Sequence, residues 1–293
     1  MGSSWSMAEE AGSPEGSAPG LGDVPEGCVA EVLARLEPPE ICRLARLSRA
    51  FRAAAAADFI WEEKLPSNYR SFIRRVLGPG GDPDLMEGRS GFGSKKDLYS
   101  RLCRPVLFDE GTKEFWLEKY SGGMCISISS KALSITMIDD RRYWNYVPTE
   151  ESRFHEVAYL QQIWWLEIGG ELDFYLPEGT YSLYFRLHLG RASRRLGRRV
   201  NSSQHIHGWD IKPVQFQLST WDGQQAQSKC YLGDPGTWIH YHVGNFVVQN
   251  SEVSTKVKFS MIQIDCTHTK GGLCVDSVFV CPKGFRPEKQ MQC

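Results

Sequence analysis

Apolar positions recur on two different periods along this chain, and the period changes near residue 105. Before that point the spacing is helical. Val29, Val32, Leu33 and Leu36 fall on one face, and Pro38 and Pro39 predict its end. Leu44, Leu47 and Phe51 make a second stripe, and Trp61 and Leu65 a third. Asp23 and Glu26 have the spacing of a capping box, with Pro25 in the first turn. Three short helices in residues 21–66 bury little surface, so the unit is expected to gain stability from a partner.

Beyond residue 105 the period is 2. In GTYSLYFRLHLG, Tyr181, Leu183, Phe185, Leu187 and Leu189 share one face, and Ser182, Tyr184, Arg186 and His188 the other. Val214, Phe216 and Leu218 alternate likewise, as do Val257, Phe259 and Met261. Further strands are expected near 124–129, 132–138, 156–168, 171–176, 238–248 and 273–281. Many short strands between Gly, Pro and Asp turns predict an antiparallel sandwich or barrel. The expected fold class is therefore α+β and multidomain. A disordered tail (1–20) precedes the helical unit (21–66), a linker with short helices (67–104), a β-sandwich (105–283) and a C-terminal tail (284–293).

Composition narrows the function classes. The chain has 293 residues, 41% hydrophobic and 24% charged, with a net charge of −1. That balance gives no overall attraction to nucleic acid or anionic membrane. No segment reads as a signal peptide or a membrane span, which predicts a soluble intracellular protein. The nine cysteines have no regular spacing and are expected to be buried free thiols. The arginines of RASRRLGRR (Arg191, Arg194, Arg195, Arg198, Arg199) read either as a solvated loop or as a nuclear-import signal. No phosphate loop, GxSxG elbow, HExxH pair or carboxylate dyad is present, and no cofactor or metal is implied.

Two segments resemble known families. LGDVPEGCVAEVLARLEPPEICRLARLSRAF, followed by a tryptophan and a leucine, resembles an F-box; Val24 stands where a leucine is usual before the proline. FWLEKYSGGMCISISSKALSIT, DDRRYWNYVPTEESRFHEVAYLQQIWWLEI, LPEGTYSLYFRLHLG, GWDIKPVQFQLSTWDGQ and GGLCVDSVFV resemble, in that order, the phloem lectin (phloem protein 2, Nictaba-like) family of plants. The resemblance implies an F-box docked on a Skp-type adaptor in a cullin-based ubiquitin ligase. It also implies a jelly-roll-like lectin domain selecting a glycan or glycoprotein substrate, in the nucleus and cytoplasm. The chain would then be a receptor subunit and not an enzyme.

Leu21, Val24, Pro25, Val29, Ile41 and Leu44 are the adaptor-facing candidates; the alternative is that some only close the unit's own core. For the sugar, the resemblance points to Trp144 in the RYW motif, with Asp140 and Asn145 beside it to bind hydroxyls. Family members tend to carry a second tryptophan where this chain has Met137, an apolar residue without a broad flat face. Trp164 and Trp165 are adjacent in an expected strand, so one is expected in the core. Trp209 and Trp221 are weaker binding candidates near loops, and Trp116 and Trp238 are expected to pack. Three readings stay open: a ligase receptor binding a glycan, a ligase receptor binding a protein surface, and a lectin whose F-box has no ligase role.

Overall fold

The computed structural model describes residues 25–77, 94–190 and 205–285, with short pieces at 194–195, 198–199, 287 and 290–291. The expected tail at 1–20, residues 78–93 of the expected linker and the capping residue Asp23 lie outside the described residues.

The helical unit has four short helices where the periodicity predicts three, because the Leu44, Leu47 and Phe51 stripe divides between the second and the third. Helices α1 (Glu26–Ala34), α2 (Pro38–Leu44), α3 (Arg49–Ala54) and α4 (Asp58–Lys64) follow one another closely. Proline occupies the start of α2, where its missing N–H costs nothing. Ser48 caps α3, its hydroxyl accepting from the Phe51 N–H at 3.1 Å. Val29, Leu33, Ile41, Ile60 and Trp61 form the core of the unit. The Trp61 indole donates to the Ala55 carbonyl at 2.8 Å. Two expectations shift: Pro25 precedes α1 and is not in its first turn. Val32 is 63% exposed because it lies about 100° round the helix from Leu33.

The rest is a sandwich of two mainly antiparallel sheets. The larger, nine-stranded sheet has the order β1-β2-β3-β15-β8-β13-β16, with β5 and β6 attached to β15. Its strands are β1 (Val106–Phe108), β2 (Lys113–Leu117), β3 (Met124–Ser129), β5 (Trp144–Pro148), β6 (Glu156–Leu160), β8 (Gly179–Leu189), β13 (Trp238–Val248), β15 (Leu273–Pro282) and β16 (Gln290–Met291). The smaller is five-stranded, β12-β11-β14-β7-β4. It uses β4 (Ser134–Ile135), β7 (Leu166–Phe174), β11 (Val214–Thr220), β12 (Gln225–Cys230) and β14 (Thr255–Gln263). The residues read as one face on each strand meet between the sheets. The Phe185 ring of β8 lies 5.5 Å from Phe216 of β11 and 6.0 Å from Phe259 of β14. Two further strands, β9 (Arg194–Arg195) and β10 (Arg198–Arg199), pair as a separate ribbon in the arginine-rich segment.

The larger sheet is covered on its outward side as well. Ser182, Tyr184 and His188 were read as the second face of β8, and they are buried. Residues 149–155 and Phe285 cover that side. The Arg186 guanidinium pairs with Asp276 at 2.6 Å and stacks 4.5 Å from the Trp238 ring, while the Ser152 hydroxyl donates to Asp276. Burial also pushes the His188 imidazole below its ordinary pKa.

The expected linker is not loose where it is described. Helices α5 (Tyr69–Leu77) and α6 (Lys95–Leu102) join the helical unit to the sandwich. Phe72 is fully buried and meets Phe115 of β2 edge-on at 5.5 Å and Phe174 of β7 at 6.4 Å. Asn68 donates to the Ser251 carbonyl at 2.9 Å. Gly122 sits at φ +67, and a Cβ there would lie 2.7 Å from the Lys64 carbonyl at the end of α4. One hydrophobic core runs through both halves. Cysteine burial was half right: Cys125, Cys274 and Cys281 are buried thiols, Cys28, Cys42 and Cys266 are exposed thiols, and Cys230 is in a disulfide.

Candidate functional site

The loops at one end of the sandwich carry an exposed aromatic and aliphatic corner. It arises where the expected 156–168 strand breaks. β6 ends at Leu160, β7 starts at Leu166, and Gln161–Trp165 bends between them. The alternation that would have buried one of two adjacent tryptophans is lost there, so Trp164 is 52% and Trp165 51% exposed. The bend is pinned from both sides. Ile163 exchanges backbone hydrogen bonds with Lys270, each at 2.8 Å. The fully buried Lys270 ammonium donates to the Trp164 carbonyl, and to the Asp265 carbonyl at 2.8 Å. Burial lowers the pKa of Lys270 from its ordinary value.

Neighbouring loops converge on this bend. The Thr136 N–H and hydroxyl both donate to the Glu167 carbonyl, at 3.0 and 2.9 Å. That fixes Met137 beside the start of β7; it is half exposed and in the left-handed region at φ +60. Gln263 pairs with Leu166 in the ladder and donates to the Lys212 carbonyl at 3.1 Å. Exposed Ile264 and Ile211 flank these two anchor points. Polar groups edge the corner. Asp265 is held below the usual carboxylate range by hydrogen bonds from Thr267, the hydroxyl at 2.5 Å. Exposed apolar side chains with polar groups at their edge mark a recognition site, and an aromatic face with nearby acids suits a pyranose.

The residues singled out from the sequence distribute unevenly. Trp144 is not the exposed platform expected. It opens β5, pairs with Leu160, and is 1% exposed, with its indole N–H donating to the Thr136 carbonyl at 2.9 Å. Its neighbour Asn145 points outward, as alternation requires. Asp140 is committed to Arg142, which approaches to 2.7 Å and, through its side-chain hydrogen bonds, holds the carboxyl below the usual range. Trp209 is also core, its indole donating to the Gly271 carbonyl at 2.8 Å, whereas Trp221 is 67% exposed. The signal for the Trp164–Trp165 pair was the WW dipeptide itself: a strand with one open face buries only one of two adjacent side chains.

On the helical unit, Leu21 and Val24 lie outside the described residues. Val29 and Ile41 are buried at 4% and 0% and hold the unit's own core, Leu44 is partly buried, and Pro25 is exposed. The apolar side chains that do face outward are Val32 (63%), Leu47 (70%) and Phe59 (44%). Among the described residues, no group of three or more His, Cys, Asp or Glu is placed to hold a metal ion, and no helix is long and apolar enough to cross a membrane.

Comparison with known families matches the F-box domain to residues 21–63 and phloem protein 2 to residues 123–282. The chain is 61% identical over 264 residues to "F-box protein PP2-A13" of Arabidopsis thaliana, covering 90% of this chain and 88% of that protein. It is 55% identical over 271 residues to "F-box protein PP2-A12" of the same plant, covering 92% and 90%. With "F-box protein PP2-A15", also from that plant, it shares 52% over 295 residues, covering 97% and 95%.

Proposed function

The chain belongs to the F-box proteins that carry a phloem protein 2 domain, and from that premise we propose that it is a substrate receptor of a Skp–cullin–F-box ubiquitin ligase. It is a binding subunit and performs no chemistry itself. The helical unit docks on a Skp-type adaptor through Val32, Leu47 and Phe59, which are exposed. Three outward apolar side chains on so small a unit support a partner there. The lectin-like domain binds a carbohydrate on a glycoprotein through Trp164 and Trp165. The single observation that carries this reading is the exposure of both tryptophans on a bend fixed by Lys270. The protein works in the nucleus and cytoplasm, where ligase and substrate meet.

A second reading, recognition of a protein surface, is favoured by the aliphatic share of the corner, Met137, Ile211 and Ile264. Two assays on the full chain separate the readings. In co-purification with a recombinant Skp-type adaptor and cullin, the wild type is retained and Leu47→Asp is lost; a wild type that fails to co-purify leaves a lectin without a ligase role. On a glycan array, saturable binding to one oligosaccharide class supports the glycan reading, and a blank array with folded protein supports the protein-surface reading.

A further inference from the structure

Arginines recur every third residue through the middle of the helical unit. Arg43, Arg46, Arg49 and Arg52 are all exposed, and no carboxylate lies between Ile41 and Ala57. The Arg46 N–H donates to the Arg43 carbonyl at 3.2 Å, so the turn of α2 continues through Arg46. Arg43 and Arg46 are therefore neighbours on one turn, and Arg49 and Arg52 on the next helix. Leu47, 70% exposed, lies between the two pairs. The opposite side of the segment is spent on the core, where Ile41, Ala45 and Ala54 are buried.

These charges have no internal use. The carboxylates that follow in α4 serve the junction. Asp58 accepts the Lys95 N–H at 2.9 Å, and Glu62 pairs with Lys95 at 2.9 Å and Arg70 at 3.2 Å. Among the described residues, the four arginines make no side-chain hydrogen bond or ion pair. A guanidinium fork matches a carboxylate, so the surface fits a run of acids with an apolar group for Leu47. The chain carries such a run itself. Residues 1–24, outside the described residues, hold Glu9, Glu10, Glu15 and Asp23 and no lysine or arginine. The carboxylates match the arginines in number, and Trp5 and Met7 precede them. Reach permits the contact. Glu15 is ten residues before Pro25, and ten residues of chain span at most about 33–36 Å. Helix α1 has nine residues, so it is about 14 Å long, and α3 packs directly on it.

We propose that the acidic segment before α1 folds back on the arginines around Leu47, and that an adaptor must displace it to dock. The proposal rests on the adaptor-docking reading above. Tethering holds the segment near the face at an effective concentration of about a millimolar, ahead of any free acidic partner of similar affinity. Each exposed ion pair contributes little, and salt screens it. The contact therefore attenuates docking and does not block it, and raised salt relieves it.

Titration of the full chain with a synthetic peptide of residues 1–24 tests the contact. In the variant Glu9→Gln/Glu10→Gln/Glu15→Gln the chain's own segment no longer competes. The peptide should bind that variant about threefold or more tighter than it binds the wild type. Adding Arg46→Gln/Arg49→Gln, or raising the salt to about 0.5 M, should weaken peptide binding about tenfold. A second titration uses a recombinant Skp-type adaptor. Its affinity should rise about fivefold from wild type to the glutamine variant at low salt, and the two should converge at high salt. Thermal melting checks that each variant is folded. No peptide binding at up to about 1 mM, the range of a tethered segment, overturns the contact, as does binding that ignores the arginine substitutions. Peptide binding with equal adaptor affinity for the two chains overturns the competition. Adaptor binding by neither chain, with the peptide still bound, overturns the docking reading and the competition with it, and supports the contact alone.

Discussion

Trp144 and the Trp164–Trp165 pair belong to one hydrogen-bonded corner and have opposite fates. Trp144 sits in the most family-like motif of the chain, yet strand pairing with Leu160 and the Thr136 carbonyl hold its ring inside. Trp164 and Trp165 sit in a dipeptide of which one ring was expected in the core, yet a broken strand turns both outward. A residue that marks a fold need not be one that touches a ligand. Here the recognisable tryptophan holds the loop before Met137 through the Thr136 carbonyl, and the two tryptophans that follow its ladder partner Leu160 along the chain meet the solvent.

That contrast can be broken or sharpened by substitution. The largest effect is expected at the core: Trp144→Ala should lower unfolding free energy by about 3–5 kcal/mol in denaturant titration. A loss under 1 kcal/mol would place the ring outside the core. Lys270→Ala strips the donor from two carbonyls and should cost about 1–3 kcal/mol per unsatisfied group, with weaker glycan binding because the Trp164 bend loosens. Trp164→Ala and Trp165→Ala should each change stability by no more than about 0.5 kcal/mol, as exposed residues do. Chemical oxidation by N-bromosuccinimide, read by peptide mass spectrometry, should reach Trp164, Trp165 and Trp221 before Trp144, Trp209 or Trp61. The smallest effect is expected from pH. Asp140 and Asp265 both have pKa values lowered from 3.8, so they stay ionised from neutral pH to about pH 5. Their contribution is lost only as pH falls through the depressed values, so binding should be flat over that range.

The same corner shows how far the sequence could be read. The α+β order, the helical stripe of Val29 and Leu33, and the alternation in β8, β11 and β14 all followed from local period, because each pattern is set within a single element. What failed depended on pairing across distance. β5 looked like a loop because the partner that buries Trp144, β6, is fixed only in three dimensions. The burial of both faces of β8 was not legible because nothing local announces the Arg186–Asp276 pair and the 149–155 cover. The junction was legible in part: Tyr69, Phe72 and Ile73 have helical spacing on an apolar face. Their target, Phe115 and Phe174, was not. That junction matters for the ligase reading, since a shared core presents the tryptophan corner at a fixed angle to the F-box.

The most direct test of the account compares three proteins on one glycan array: wild type, Trp164→Ala/Trp165→Ala, and the conservative core variant Trp144→Phe. The account predicts saturable binding by the wild type, near-complete loss in the double variant with its melting temperature unchanged, and retained binding by Trp144→Phe. Loss of binding in Trp144→Phe while the double variant still binds would return the sugar site to the buried tryptophan and contradict the account.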